Sequence, residues 1–255
     1  MRRRETLLTP APTPTPTTIR GPSGHGAAGN GAARRSDDAC RELAALSSAL
    51  ETRSITPYER WLKPVLDRVL AAMLIVVLVP VLVLIALTVL VAMGRPVLFR
   101  QTRVGLHGRE FAMLKFRTMR PDRRVTSAPY RGCDRRRTHK SAEDPRHTAV
   151  GRFMRKFSLD ELPQLFNVLL GQMSMVGPRP ELTEIANGYA PWQCSRYLVK
   201  PGVTGLWQTT ERGMGLPLHE CIDRDLEYIS RLSFRQDVGI ILRTPVALLR
   251  TKGVV

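Results

Sequence analysis

Asp160 and Glu161 stand side by side in the stretch SLDELPQLFNVLLGQMSMVGPRP, Ser158 to Pro180, which closes on Arg179 between Pro178 and Pro180. Neighbours on a helix point about 100° apart. The two carboxylates therefore do not face each other across a sugar ring, as a glycosidase pair must. They suit one hard cation, or a division of labour in which one attacks while the other holds the metal. Arg155 and Lys156 lie just upstream and favour an anion beside the pair; a helix N-terminus adds to that preference. The two prolines restrict the backbone around Arg179, which lowers the entropy lost when its fork orders on phosphate oxygens. Carboxylates for chemistry and arginines for an anion point to phosphate chemistry.

Each signal also has an ordinary structural reading. Ser158-Leu159-Asp160-Glu161 fits the capping box S-x-x-E, in which Glu161 only reaches back to the Ser158 N–H. Acidic residues in a first turn complement the helix dipole in any case. Gly177-Pro178-Arg179-Pro180 reads equally as a surface turn. Pro201-Gly202-Val203-Thr204-Gly205, followed by Leu206-Trp207-Gln208 and closed by Arg212, is a glycine-rich turn. Its glycines allow close backbone approach to a ligand, although most such turns only connect elements. In Lys115-Phe116-Arg117-Thr118-Met119, Lys115 and Arg117 put two cations on one strand face, which is also how a sheet edge is protected.

Several chemistries are excluded by what is missing. The chain has no G-x-x-x-x-G-K-[ST], no G-x-G-x-x-G after a strand and no G-x-S-x-G, which argues against a P-loop ATPase, a Rossmann oxidoreductase and an α/β-hydrolase. His25, His107, His139, His147 and His219 show no metal-ligand spacing. Cys40, Cys133, Cys194 and Cys221 form no CxxC pair, so free thiols in a reducing compartment are expected rather than a zinc site. Trp61, Trp192 and Trp207 are too scattered to make a stacking platform for nucleic acid.

The elements that must position these residues begin with an apolar run. Val69 to Met93 is 25 residues without a charge, about 37 Å as one straight helix, enough to cross a ~30 Å hydrocarbon core. Pro80 sits at its centre and should kink it. Arg60, Lys63 and Arg68 precede the run, and Arg95, Arg100 and Arg103 follow it. A crossing segment usually biases Lys and Arg to one side. The symmetric flanks therefore favour a re-entrant hairpin with arms 69–79 and 81–93 over a simple span. The reading is an α+β protein in three parts. Residues 1–55 form a Pro-, Gly- and Arg-rich extension, disordered to about residue 36, with a short helix over 37–52. Residues 56–94 form the anchor, and 95–255 a mostly helical catalytic domain with a small β-hairpin.

Within that domain, VLF (97–99) and FAML (111–114), separated by Gly105 and Gly108, suggest the hairpin. Pro121 to Asp144, with Arg135-Arg136-Arg137, reads as a mobile basic loop. Ala149 to Gly171 is helical in pattern: Leu162, Leu165, Phe166 and Leu169 share an apolar face, and Asp160, Gln164 and Asn167 share another. Ile222–Leu232 and Val238–Leu249 are further helices, the second amphipathic, basic and broken at Pro245. The net charge is +17, and Gly94 to Phe157 alone carries 18 Lys and Arg against 5 Asp and Glu. A polyanionic partner is implied: anionic lipid, a phosphorylated substrate or nucleic acid. The choice lies between an enzyme of phosphate chemistry and a non-catalytic, membrane-tethered basic protein that binds anionic lipid or nucleic acid.

KFRTM (115–119), DPRHTAVGRFMRKFSLDELPQLFNVLLGQMSMVGPRP (144–180) and PGVTGLWQ (201–208) together resemble the bacterial sugar transferase family, monotopic polyprenyl-phosphate phosphoglycosyl transferases. The resemblance runs in order over about 60 to 253. It implies transfer of a sugar 1-phosphate from a UDP-sugar to polyprenyl (undecaprenyl) phosphate, the first step of building a surface glycan. It implies Asp160 as nucleophile, forming a covalent phospho-sugar and releasing UMP, and Glu161 as the ligand of Mg²⁺. By the same resemblance Arg155, Arg179 and Arg212 hold phosphates and Pro80 breaks the re-entrant helix; Lys115 and Arg117, the two cations of one strand face, are expected to join them on the phosphates. It implies the bacterial cytoplasmic membrane, with the catalytic domain on its cytoplasmic face. The partners are then UDP-sugar, polyprenyl phosphate and the bilayer, and not nucleic acid; other glycan-assembly enzymes and a homodimer are left open. Two departures stand out. Val79 replaces the serine often found before the hairpin proline, and Thr210-Glu211-Arg212 replaces Asn-Gly-Arg, placing a negative charge near an anion site.

Overall fold

The computed structural model describes residues 41–120, 146, 148–210 and 221–250. Those from Arg41 onward belong to one unit. Helix α1 covers 41–51. Its apolar stripe, Leu43, Leu46 and Leu50, packs on the main core, and Ser47 Oγ meets Ser195 Oγ at 2.6 Å. The expected short helix is therefore a docked part of the fold. The expectation of disorder to residue 36 and the basic loop Pro121 to Asp144 lie outside the described residues.

A π-helical turn, Tyr58–Leu62, leads into α2, Lys63–Met93. The two separate arms expected from the sequence are not found: the helix continues through Pro80. A proline removes one N–H from the ladder, and here the helix is held on both sides of that gap. Leu70, Leu74, Ile75 and Leu78 pack on the main core, while Leu82, Ala86, Ile85 and Val89 pack on a second cluster with Phe116 and Met154. The outer face stays apolar and exposed, with Val76 72 % and Val91 87 % accessible. By length and composition the stretch Tyr58–Met93 is a candidate membrane segment, with a mean hydropathy of 3.4 over an 18-residue window.

Strands β1 (Leu98–Val104) and β2 (Glu110–Phe116) form the expected antiparallel hairpin, with Leu98 opposite Phe116 and Val104 opposite Glu110. Next come α3 (Ala149–Lys156) and α4 (Gln164–Leu169). The continuous helix read over Ala149 to Gly171 is broken between them. Ser158 takes φ 55°, in the left-handed region, and a 3₁₀ turn, Leu159–Glu161, follows. Ser158 makes no side-chain cap, so the capping box is not formed. A left-handed residue redirects the chain at a point where a right-handed helix would have continued.

Strand β3 (Ser174–Val176) pairs in parallel with β4 (Gly202–Thr204), and the short α7 (Leu206–Thr210) follows β4, after the single turns α5 (Thr183–Ala186) and α6 (Pro191–Cys194). The segment read as a glycine-rich turn is thus partly a strand. Its glycines serve contact with another backbone: a Cβ on Gly202 would sit 2.1 Å from Gly177 N, and one on Gly205 would sit 2.3 Å from Gly177 O. Helices α8 (Ile222–Ser230) and α9 (Phe234–Arg250) complete the unit. Pro245 lies inside α9 without ending it, again the loss of one N–H in a helix held by packing, here through Ile240 and Ile241 on the main core.

Candidate active site

Asp160 and Glu161 are both buried, each 8 % exposed, in the 3₁₀ turn that follows Ser158. Glu161 is the hub. Its Oε1 accepts from Lys115 Nζ at 2.9 Å and from Arg179 Nη2 at 2.8 Å. Three segments far apart in sequence, namely β2, the 3₁₀ turn and the loop after β3, thus converge on one oxygen. Asp160 lies in their field. Burial first, and then the neighbouring Glu161 carboxylate, push its carboxyl up to about 6, against a smaller pull downward from Lys115 and Arg179. Burial disfavours the charged form of an acid, and a like charge beside it does the same. Glu161, followed by the Asp160 charge, in turn raises the Arg179 guanidinium, which stays charged.

The cations are positioned by buried polar groups. Asn167, 1 % exposed, accepts from Leu114 N at 2.9 Å and donates to Ala112 O at 2.8 Å. It fixes α4 to the strand that carries Lys115. Two ionic networks hold the Arg179 loop. On one side Lys63 Nζ donates to Val176 O at 3.1 Å and to Asp237 Oδ2 at 2.6 Å. Asp237 also accepts from Tyr58 and Tyr228, each at 2.7 Å, and Ser174 Oγ lies 2.6 Å from Asp67 Oδ2. On the other side Arg196 Nη2 donates to Arg179 O at 2.7 Å and pairs with Asp225 Oδ2 at 2.7 Å. Arg196 Nη1 donates to Tyr189 OH at 3.1 Å, and Tyr189 OH donates to Glu181 Oε2 at 2.9 Å. Buried charges need partners of this kind.

The remaining residues singled out by the sequence fall in different places. Arg117 donates to the carbonyls of Met93, Gly94 and Arg95. It closes the C-terminal end of α2, where unpaired carbonyls favour a cation, and so ties the apolar helix to the strand that holds Lys115. Arg155 Nη1 lies 3.5 Å from Thr118 Oγ1, next to Arg117 in sequence. Arg212 and Glu211 lie outside the described residues. Lys63, read only as a basic flank of the apolar run, has a role here that the sequence did not show, and Asp67, Arg196, Asp225 and Asp237 escaped the sequence reading. Each is a single charged residue without a motif, and the pairing of Lys63 with Asp237 joins residues 174 positions apart.

Residues 58–251 match the family described as bacterial sugar transferase. The chain belongs to that family. Among similar bacterial sugar transferases, the galactosyl transferase CpsE of Streptococcus agalactiae serotype III is 42 % identical over 62 % of this chain and 36 % of its own length. The undecaprenyl-phosphate galactose phosphotransferase of Salmonella typhimurium is 36 % identical over 76 % of this chain and 42 % of its own length. The UDP-glucose:undecaprenyl-phosphate glucose-1-phosphate transferase of Caulobacter vibrioides is 42 % identical over 74 % of this chain and 70 % of its own length. The chain therefore spans less than half of the first two relatives and 70 % of the third. The family match holds all of the carboxylate–cation cluster and leaves α1 outside.

Proposed function

We propose that the chain is a phosphoglycosyl transferase that moves a hexose 1-phosphate from a UDP-sugar to polyprenyl phosphate at the face of a membrane. The observation that carries this reading is the convergence of Lys115 and Arg179 on Glu161, beside the buried Asp160. A binding module that attracts polyanions by charge has no use for two carboxylates in the middle of its cationic site. An enzyme attacking an anionic diphosphate needs both: an acid group as nucleophile and cations that offset charge in the transition state.

Asp160 is the nucleophile in this reading. One of its carboxylate oxygens attacks the phosphorus that bears the sugar. The new bond makes an acyl phosphate on Asp160, and the bond to the UMP oxygen breaks. An oxygen of polyprenyl phosphate then attacks the same phosphorus. A diphosphate linkage forms, the bond to Asp160 breaks and the carboxylate is restored. Arg179 and Lys115 hold phosphate oxygens in line and carry the developing charge. Arg155 and Arg212 supply further phosphate contacts by the family resemblance.

Mg²⁺ fits the residues present. Two adjacent, buried carboxylates suit a hard cation that completes its shell with water and substrate phosphates. Among the described residues no group of three His, Cys, Asp or Glu could hold a metal without such help. Glu161 would hold the ion, with Asp160 beside it. When bound, it supplies charge neutralisation on the diphosphate and on the departing oxygen. Lys115 and Arg179 share Glu161 Oε1, so that side chain would have to be shared between them and a bound ion.

The apolar helix places the reaction where the lipid acceptor is. Both of its ends are tied to the same domain, through Lys63 to Val176 and Asp237 and through the carbonyls of residues 93–95 to Arg117. That arrangement supports an anchor that lies against the catalytic domain at one face of the bilayer, the cytoplasmic one, rather than a span. The test is release of UMP from a panel of UDP-sugars, UDP-glucose and UDP-galactose first, with undecaprenyl phosphate in detergent. Turnover with at least one donor is expected, and none with any donor would contradict the reading.

A further inference from the structure

A cavity of about 330 Å³ opens between the apolar helix α2 and the C-terminal helix α9. Its walls include Leu74 and Leu78 of α2, Met175 of β3, and Ala247 and Leu248 of α9; Ser158 and Glu161 stand at one end. The outer faces of the two walling helices are apolar and exposed: Val76, Val77 and Val81 on α2, Leu242 and Val246 on α9. An apolar surface thus leads from the face that meets lipid, past Leu74 and Leu78, to the carboxylate bound by Lys115 and Arg179. Pockets of this size, apolar with a few placed polar groups, suit a ligand whose body is hydrocarbon and whose head is polar. A UDP-sugar, polar throughout, matches the cationic cluster and not this wall. A larger cavity, about 410 Å³, is lined by His107, Glu110, Cys194 and Tyr197 among others and contains none of the carboxylate–cation cluster.

We propose that the α2–α9 cavity is the acceptor subsite: it takes the isoprene units next to the phosphate of polyprenyl phosphate and sets that phosphate at the Ser158–Glu161 end. The inference rests on the transferase reading above and adds to it where the lipid sits and which side chains choose it. The order of the chemistry follows from the layout. Donor and acceptor phosphates reach the same cluster, but only the acceptor needs the hydrocarbon slot. Side chains of the slot therefore govern the second half of the reaction alone.

The test uses the full chain in detergent with UDP-glucose or UDP-galactose, and reads two quantities. The first is the burst of UMP released in the absence of acceptor. The second is KM for undecaprenyl phosphate, compared with an analogue saturated in its first isoprene unit. In Ala247→Trp the indole fills the slot. The burst should keep its amplitude, KM for undecaprenyl phosphate should rise roughly tenfold or more, in keeping with the discrimination a methylene-sized misfit produces in an apolar pocket, and any preference between the two acceptors should disappear. Leu78→Phe, a milder apolar change from the opposite wall, should raise KM in the same direction and serves if the tryptophan variant does not fold. A normal burst with unchanged acceptor KM in both variants would overturn the subsite. So would a loss of burst with unchanged acceptor KM in a folded variant, which would make the cavity a donor site. If bulk acyl chains occupied the slot instead, KM for undecaprenyl phosphate would not respond to either substitution. The absence of any burst from the unsubstituted protein with every donor, together with no turnover, would sink the transferase reading itself, a separate outcome.

Discussion

Arg179 and Lys115 donate to one and the same oxygen of Glu161, at 2.8 and 2.9 Å. This shared oxygen fixes Arg179 against the neighbouring Asp160, and the two cations offset a carboxylate pair that burial would otherwise disfavour. Arg179 is also the residue best placed to exchange its carboxylate for a phosphate, since its side chain keeps a quarter of its surface accessible. Arg179→Ala should lower kcat for UMP release by roughly 10²–10³-fold, the loss typical of one preorganised donor to a developing charge. Arg179→Lys should recover little of it, because a lysine lacks the planar fork. Steady-state kinetics with a saturating donor provide the check.

Asp160→Asn should abolish transfer, with a loss of roughly 10⁴-fold or more, while leaving the fold intact. The sign of the stability effect follows from its raised carboxyl. Folding favours the protonated form of Asp160, so the folded state loses stability as pH rises from the ordinary carboxylate range through about 6. Above that range the charged side chain is a cost that asparagine removes. Thermal melting at pH 7.5 should therefore show a Tm for the variant equal to or above that of the unsubstituted protein.

The same displacement predicts a pH profile. A carboxylate nucleophile must be ionised, and Asp160 gains its proton as pH falls through about 6. The donor half-reaction should lose rate below that point. Glu161→Gln removes the second-largest cause of the displacement, so its residual activity should decline at a lower pH. Burst rates of UMP release between pH 5 and 8 measure both limbs.

The networks that hold the Arg179 loop are predicted to carry stability. Lys63→Met leaves Asp237 and Asp67 buried without their cation, and Arg196→Met does the same to Asp225. Breaking a buried pair in this way costs about 3–5 kcal/mol. Both variants should melt well below the unsubstituted protein and lose activity in step with folding. Gly202→Ala drives a methyl group to 2.1 Å from Gly177 N, and should cost at least about 1–3 kcal/mol through overpacking. Denaturant unfolding in detergent resolves these losses.

Removal of divalent ions gives an independent prediction. Added EDTA should stop UMP release, and Mg²⁺ should restore it, whereas association with anionic vesicles, driven by the basic surface, should persist. Retention of full activity in EDTA would remove the ion from the site.

Much of the site was legible in the sequence because its residue types are unusual together. Asp160, Glu161, Arg179 and Lys115 were each singled out, and three of the four meet on one oxygen. The β1–β2 hairpin was legible from two short apolar runs separated by Gly105 and Gly108, and the short helix over 37–52 was legible too, though not that its face of Leu43, Leu46 and Leu50 docks on the core. The turn at Ser158 was not. S-x-x-E satisfies a local cap rule, and the left-handed kink that overrides it depends on how α3 and α4 pack on different neighbours, Met154 on Phe116 and Leu165 on Met173 and Met175. The role of Arg117 was hidden for a similar reason. Two cations on a strand look alike in one dimension, yet Lys115 turns to Glu161 while Arg117 turns to the end of α2. The parallel β3–β4 pair joins segments of three residues each, too short to announce themselves by periodicity. Lys63 and Asp237 carry no local pattern at all; only the closed fold brings them together.

The central claim is that Asp160 carries the phospho-sugar between donor and acceptor. Protein incubated with UDP-sugar and Mg²⁺ but no polyprenyl phosphate, quenched in acid and digested, should yield a peptide containing Asp160 heavier by one hexose phosphate, absent in Asp160→Asn and discharged on addition of undecaprenyl phosphate. An unmodified Asp160 peptide throughout, in a preparation that still makes lipid-linked product, would contradict the account.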